Sequence, residues 1–175
     1  MRDPESAIVI RSATGADAST VAEIWYRGWR DGHEGHVPDY LAEVRTHESF
    51  QSRAAERVDD TLVAVVDGVV AGFVMVVDDE VEQVYVARDH RGTGLASRLL
   101  TQGEGTVEAN GFERAWLAVV AGNSRARRFY ERSGWIDEGA FDYLAGAPDG
   151  TISVPAHRYV KRVTGRGEGA GPAGG

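Results

Sequence analysis

The chain contains no cysteine. That absence removes disulfides, thiolate zinc sites, iron–sulfur clusters and any thiol nucleophile at once. Lysine is almost missing as well: of the 19 basic residues only Lys161 is lysine, and the rest are arginine. No apolar run approaches the ~20 residues needed to span a bilayer; the longest is Val69–Val77. The first eleven residues carry Arg2, Asp3, Glu5 and Arg11, with no apolar core of a secretory signal. Positive charge is in deficit, with 27 acidic residues and a net charge of -8. Such a balance is unsuited to neutralising the phosphates of nucleic acid or of an anionic membrane. The expectation is a soluble cytoplasmic protein with no nucleic-acid, membrane or metal partner.

What is present fits one folded unit. The 175 residues, 42% of them hydrophobic, can bury a core without staples. We read residues 1–164 as a single domain and 165–175 as a disordered tail, because Gly165–Gly175 holds six glycines and one proline. Ala7–Arg11 reads as a short strand. Asp17 or Ser19 caps a helix whose stripe is Val21, Ile24, Trp25, Gly28 and Trp29. A polar stretch from Arg30 to Pro38 precedes a weaker helix, Glu48–Val58. Thr61–Val66 and Val69–Val77 flank Asp67-Gly68, a hairpin dipeptide, and Glu80–Val86 makes a third strand. Gly92–Asn110 is a helix with Leu95, Leu99, Leu100 and Val107 on one side and Gly111 as its C-terminal cap. Ala115–Val120 is a strand, Asn123–Ser133 a helix, and Trp135–Tyr143 and Ile152–Val163 two closing strands. The class is α/β, with a mixed sheet.

The most informative stretch runs Val84-Tyr85-Val86-Ala87-Arg88-Asp89-His90-Arg91-Gly92-Thr93-Gly94-Leu95-Ala96. A buried strand leads through a basic turn into a glycine-rich helix start. Glycines let backbone N–H groups approach an anion, and the helix N-terminus adds partial positive charge. Pyrophosphate suits this geometry. A Rossmann fingerprint fails at its third glycine, which is Ser97 here, and a P-loop would need Gly-Lys-Ser/Thr. An ordinary strand–helix turn, with glycines for tight packing, stays open on this segment alone. A second segment, Asn123 to Trp135, opens a helix directly after a strand. Asn123, Ala126 and Tyr130 share one helical face, so an amide, a small residue and a phenol line the same side.

Together these segments resemble the GNAT superfamily of N-acetyltransferases. Arg91-x-x-Gly94-x-Ala96 is similar to the family's Q/R-x-x-G-x-G/A acetyl-CoA motif, and Asn123…Ala126…Tyr130…Gly134-Trp135 to its N-x-x-A-x-x-x-Y-x-x-x-G-F/W motif. The resemblance spans roughly residues 8–163 and implies a mostly antiparallel sheet of about seven strands flanked by about four helices. It implies acetyl-CoA as acyl-donor substrate, held by Val84, Tyr85, Val86, Arg91, Gly92, Thr93, Gly94, Leu95, Ala96, Asn123 and Ala126. Backbone N–H groups of Val84–Val86 would polarise the thioester, where the family splays this strand from Ala115–Val120. Tyr130 would protonate the leaving thiolate. Glu80 stands where the family often has a glutamate that deprotonates the amine. Glu82 shares its face by alternation unless a bulge intervenes, and His33 and His36 are alternative bases.

The acceptor pocket would fall to Trp29–Tyr40 and Phe141–Pro155, with Trp29 and His33 touching the substrate. Trp29 and Tyr40 beside Asp31, Glu34 and Asp39 suggest a cationic, partly apolar amine. Residues 88–132 carry a local surplus of three positive charges, from eight arginines against five acids. A basic cofactor half and an acidic remainder result. With no cysteine to hold an acyl group, direct transfer in a ternary complex is expected. The first-ranked acceptor is a small-molecule primary amine. A protein N-terminus or lysine is the alternative, and a non-catalytic acyl-CoA sensor a third reading. A homodimer is compatible with all three.

Overall fold

The computed structural model describes residues 7–164; residues 1–6 and the stretch 165–175 expected as a disordered tail lie outside the described residues. Seven strands form one sheet in the order β1-β2-β3-β4-β5-β7-β6. They are β1 (Ile8–Ser12), β2 (Thr61–Val66), β3 (Val69–Val77), β4 (Glu80–Val86), β5 (Arg114–Val120), β6 (Ile136–Ala147) and β7 (Gly150–Arg162). The β4–β5 pair is parallel, and the other neighbours run antiparallel. Helices α1 (Ala18–His33), α2 (Asp39–Val44) and α3 (His47–Glu56) lie between β1 and β2 in the chain. Helix α4 (Leu95–Ala109) joins β4 to β5, and α5 (Ser124–Arg132) joins β5 to β6. The described residues thus hold five helices, not about four. The extra one, α2, has six residues and starts after Pro38, too short to show a helical period. Strands β6 and β7 run further than expected, because Gly146 and Gly150 look like turn residues yet belong to the strands. No helix among the described residues is long and apolar enough to cross a membrane.

The sheet is covered on both faces. On one, Leu95, Leu99, Leu100 and Val107 of α4 pack against Val74, Val81 and Leu117. On the other, Val21, Trp25 and Trp29 of α1 pack with Phe50 of α3 against Phe73 and Met75. Each such large apolar side chain contributes roughly 1.5–3 kcal/mol on burial. Helix α1 starts where Asp17 is held by Arg11 at 2.7 Å and accepts from the Thr14 N–H at 2.8 Å. The Arg11 hydrogen bond keeps the Asp17 carboxyl down at about 2.

The approach of α1 to β4 depends on Gly28. A Cβ at that position would stand 2.4 Å from Cδ1 of Tyr85, whose ring is braced by Phe73 at 5.8 Å between centroids. Gly28→Ala is expected to cost about 1–3 kcal/mol through overpacking. A urea unfolding midpoint equal to that of the wild type would show that Tyr85 yields.

Candidate active site

Strands β4 and β5 are neighbours at one end and diverge at the other. Among the described residues they pair at Glu80 and Trp116, reinforced by the Trp116 N–H donating to the Asp79 carbonyl at 3.0 Å. Past that point a cleft of about 670 Å³ opens between them. The Ala87 N–H donates to the Ala71 carbonyl on β3 at 2.8 Å, which sets the phase of the antiparallel ladder. By alternation the N–H of Tyr85 turns to β3, while those of Val84 and Val86 turn to the diverging β5 side. Of the three backbone donors expected, two therefore face the cleft.

At the end of β4 the chain makes one turn of 3-10 helix, Arg88–His90, and enters α4. Gly92 and Gly94 have φ of 76° and 83°, the left-handed region that glycine occupies at no steric cost. Gly94 is the N-cap of α4 and offers no side chain to its first N–H groups, so those donors and the helix dipole point outward. Arg91, Gly92, Gly94, Leu95 and Ala96 line the cleft. Thr93 does not: its hydroxyl donates to the His90 carbonyl at 2.6 Å and closes the turn instead. Asp31 of α1 holds Arg91 at 3.0 Å and Arg88 at 3.7 Å. Asn123, Ala126 and Tyr130 also line the cleft. The Asn123 side chain caps α5 by accepting from the Ala126 N–H at 3.2 Å. Tyr130 packs edge-on against Phe129 and Trp135, and burial raises its hydroxyl well above the usual phenol range.

A second cavity, of about 300 Å³, lies on the α1–α3 face, and the two cavities share His33, Glu82, Gln83, Ala118 and Val120 as walls. A β-bulge determines what faces it. Gln83 pairs with Met75, but Val81 pairs with Val76, so Glu82 is an extra residue in β4. Val81 consequently joins Val84 and Val86 in the α4 core. Glu80 is transferred to the opposite face and, with Glu82, lines the second cavity. The bulge also separates their roles. Arg57 pairs with Glu82, whereas Glu80 accepts a hydrogen bond from the Tyr143 hydroxyl at 3.0 Å. Burial, then the nearby charge of Glu82, pushes the Glu80 carboxyl up to about 7.

Trp29 and His33 line this cavity and stack on each other, 5.2 Å between centroids. The His33 Nδ1 lies 3.2 Å from the Trp29 carbonyl, and burial drops its imidazole to about 4, leaving it neutral and weakly basic. His36 lies elsewhere, with its ring against Gly122. The acidic character expected of the pocket does not materialise from the Trp29–Tyr40 stretch. Asp31 is engaged with the two loop arginines, Glu34 pairs with Arg30, and the Tyr40 hydroxyl donates to Asp149. Basic residues stand there instead: Arg45 at the end of α2 and Arg53 in α3. They are site residues that sequence reasoning passed over, while Tyr143 falls within the expected Phe141–Pro155 stretch without having been singled out. The signal for Arg53 was its spacing with Phe50, Ala54 and Arg57, which places guanidinium groups on the buried face of α3.

The sequence pattern described as the acetyltransferase (GNAT) family matches residues 21–135. The chain belongs to the GNAT acetyltransferase family. Uncharacterized N-acetyltransferases of Mycobacterium bovis and Mycobacterium tuberculosis are 29% identical over 120 residues, covering 63% of this chain and 77% of theirs. Among solved structures, a GCN5-related N-acetyltransferase from Rhodopseudomonas palustris superposes with a TM-score of 0.68 at 18% identity, over 93% of this chain and 98% of that one. YncA of Salmonella typhimurium, solved with its cofactor acetyl-CoA, gives 0.66 at 20% identity over 95% and 98%. PaiA N-acetyltransferase of Thermoplasma acidophilum, solved with coenzyme A, gives 0.65 at 17% identity over 89% and 99%. The GNAT match contains the glycine turn, the bulged strand and α5. It stops before the β6–β7 hairpin, which supplies Tyr143 and one wall of the second cavity.

Proposed function

We propose that this protein is an acetyl-CoA-dependent N-acetyltransferase that moves an acetyl group directly from the thioester to a primary amine of a small molecule. The observation that carries the reading is the pair of cavities meeting at the β4–β5 divergence, with Glu80 in one and Tyr130 in the other. The larger cavity fits an acyl-CoA. Its mouth has the outward-facing N–H groups of α4 and the Arg91 guanidinium for phosphates, and its depth has strand-edge donors for an amide-rich arm. Acetyl-CoA and coenzyme A in the Salmonella and Thermoplasma neighbours support the same assignment.

The steps balance without a covalent enzyme intermediate. Glu80 takes a proton from the ammonium, and the freed amine attacks the thioester carbonyl. The Val84 and Val86 N–H groups stabilise the oxygen as it gains charge. The carbon–sulfur bond breaks, and the thiolate takes the Tyr130 hydroxyl proton; the attacking nitrogen gives up its second proton as the amide forms, and that proton, passed through water, restores the Tyr130 hydroxyl. The modest volume of the acceptor cavity, about 300 Å³, supports a small molecule over a protein lysine or N-terminus, which would call for a long groove.

Thiol release from acetyl-CoA across a panel of amines, with both substrates varied, tests this reading. Double-reciprocal lines should intersect, as a ternary complex requires. Parallel lines would overturn direct transfer. Calorimetric acetyl-CoA binding without turnover of any amine would favour the sensor reading.

A further inference from the structure

Two arginines in the acceptor cavity, whose walls also hold Glu56, Glu80 and Glu82, form no ion pair among the described residues. Arg45 is 8% exposed, and its guanidinium donates to the Gly146 carbonyl at 2.5 Å. Arg53 lies over the Trp25 ring at 4.3 Å. Neither forms an ion pair with a carboxylate among the described residues, since Glu82 is taken by Arg57 and Glu80 by the Tyr143 hydroxyl. Burial lowers the pKa of both, and Arg45 and Arg57 act on Arg53 as like charge, offset in part by Glu82. The indole N–H of Trp25, in a wall of the same cavity, is also buried without an acceptor. Buried cations without a paired carboxylate are costly. A cavity that gathers two of them with a spare N–H donor is complementary to an anion. Trp29, Leu41 and Val154 supply an apolar wall beside them.

We propose that the acceptor amine carries a carboxylate, which Arg45 and Arg53 receive, so that the substrate class is a small amino acid with an apolar side chain. The inference rests on the acetyltransferase reading above and refines it. A planar guanidinium suits a carboxylate bidentately, while Glu80 on the strand side of the cavity addresses the ammonium of the same molecule. Opposite charges at the two ends fix which way the acceptor enters.

The test compares matched pairs: phenylalanine against phenethylamine, and leucine against isopentylamine, with acetyl-CoA and thiol release as readout. The amino acid of each pair should have the higher kcat/KM by about 10- to 100-fold, the worth of one or two charge-assisted hydrogen bonds. Arg53→Met should raise KM for the amino acid by a similar factor and shrink the preference for the amino acid over its decarboxylated amine to the same extent. Arg45→Met and Arg53→Lys serve as second variants. The amino acid should also raise the wild-type melting temperature, and Arg53→Met should raise it without ligand, because an uncompensated buried charge is gone. Amines equal to or better than their amino acids would overturn the proposal while leaving the acetyltransferase reading intact. Failure to bind acetyl-CoA by calorimetry would instead strike the reading on which it rests.

Discussion

Glu80→Gln is expected to lower kcat by about 10²- to 10⁴-fold, the usual worth of a positioned general base. An acceptor amine is mostly protonated at neutral pH, since its ordinary pKa lies near ~10, so something must take that proton before attack. A solvated carboxylate would be a feeble base. Here burial and the neighbouring Glu82 push Glu80 up to about 7, which matches the base to the operating pH. The active form is the carboxylate, so wild-type kcat/KM should fall about tenfold per pH unit below about 7. Glu80→Gln should lose that limb. A variant profile that keeps it would assign the base elsewhere. Tyr143→Phe should shift the limb to higher pH, because its hydroxyl donates to Glu80 and favours the charged form.

Stability separates a lost base from a damaged fold. The folded pKa of Glu80 lies above its ordinary value, so the native state binds more protons than the unfolded chain between 4.5 and about 7. Stability therefore declines as pH rises through that window. Glutamine cannot ionise and removes the penalty, while its side-chain oxygen can still accept from Tyr143. Urea unfolding at pH 8 should find Glu80→Gln at least as stable as the wild type.

Which of these features could be read from residues alone follows from their range. Strands β2, β3 and β4 are valine-rich segments split by Asp67-Gly68 and Asp78-Asp79, and their bounds came out as expected. The glycine turn and the Asn123–Ala126–Tyr130 face are local patterns, fixed by chain geometry within a few residues. The bulge at Glu82 is not local in that sense. It is a mismatch between two strands, and alternation along β4 alone cannot register it, yet it decides which face receives Glu80. Tyr143 comes from a strand 63 residues away, on a hairpin whose own signal was blurred by glycines. The arginines misled for a different reason. The helix expected over Glu48–Val58 shows only a weak apolar stripe, so its buried face, and Arg53 on it, was not singled out. Asp31 looked like a site residue because its partner Arg91 reaches it only through folding, whereas the Arg30–Glu34 pair is an i,i+4 spacing open to reading in the sequence.

Tyr130→Phe should depress kcat by about 10- to 100-fold and leave the KM for acetyl-CoA nearly unchanged. The ring makes the packing contacts, against Phe129, Trp135 and Tyr159, and phenylalanine preserves them. Only the hydroxyl is removed. Burial raises its pKa, so the phenol holds its proton at working pH until a stronger base appears beside it, as a departing thiolate would. An acid that acts on the leaving group has a particular signature. Its loss should matter less as the thiol becomes more acidic, because a stabilised thiolate needs no proton to depart. An acetyl thioester of an electron-poor aryl thiol should therefore recover most of the rate in Tyr130→Phe relative to wild type. Equal losses with aryl and alkyl thioesters would mean that the hydroxyl positions the donor and does not protonate it. An unchanged kcat with acetyl-CoA would remove Tyr130 from the chemistry altogether.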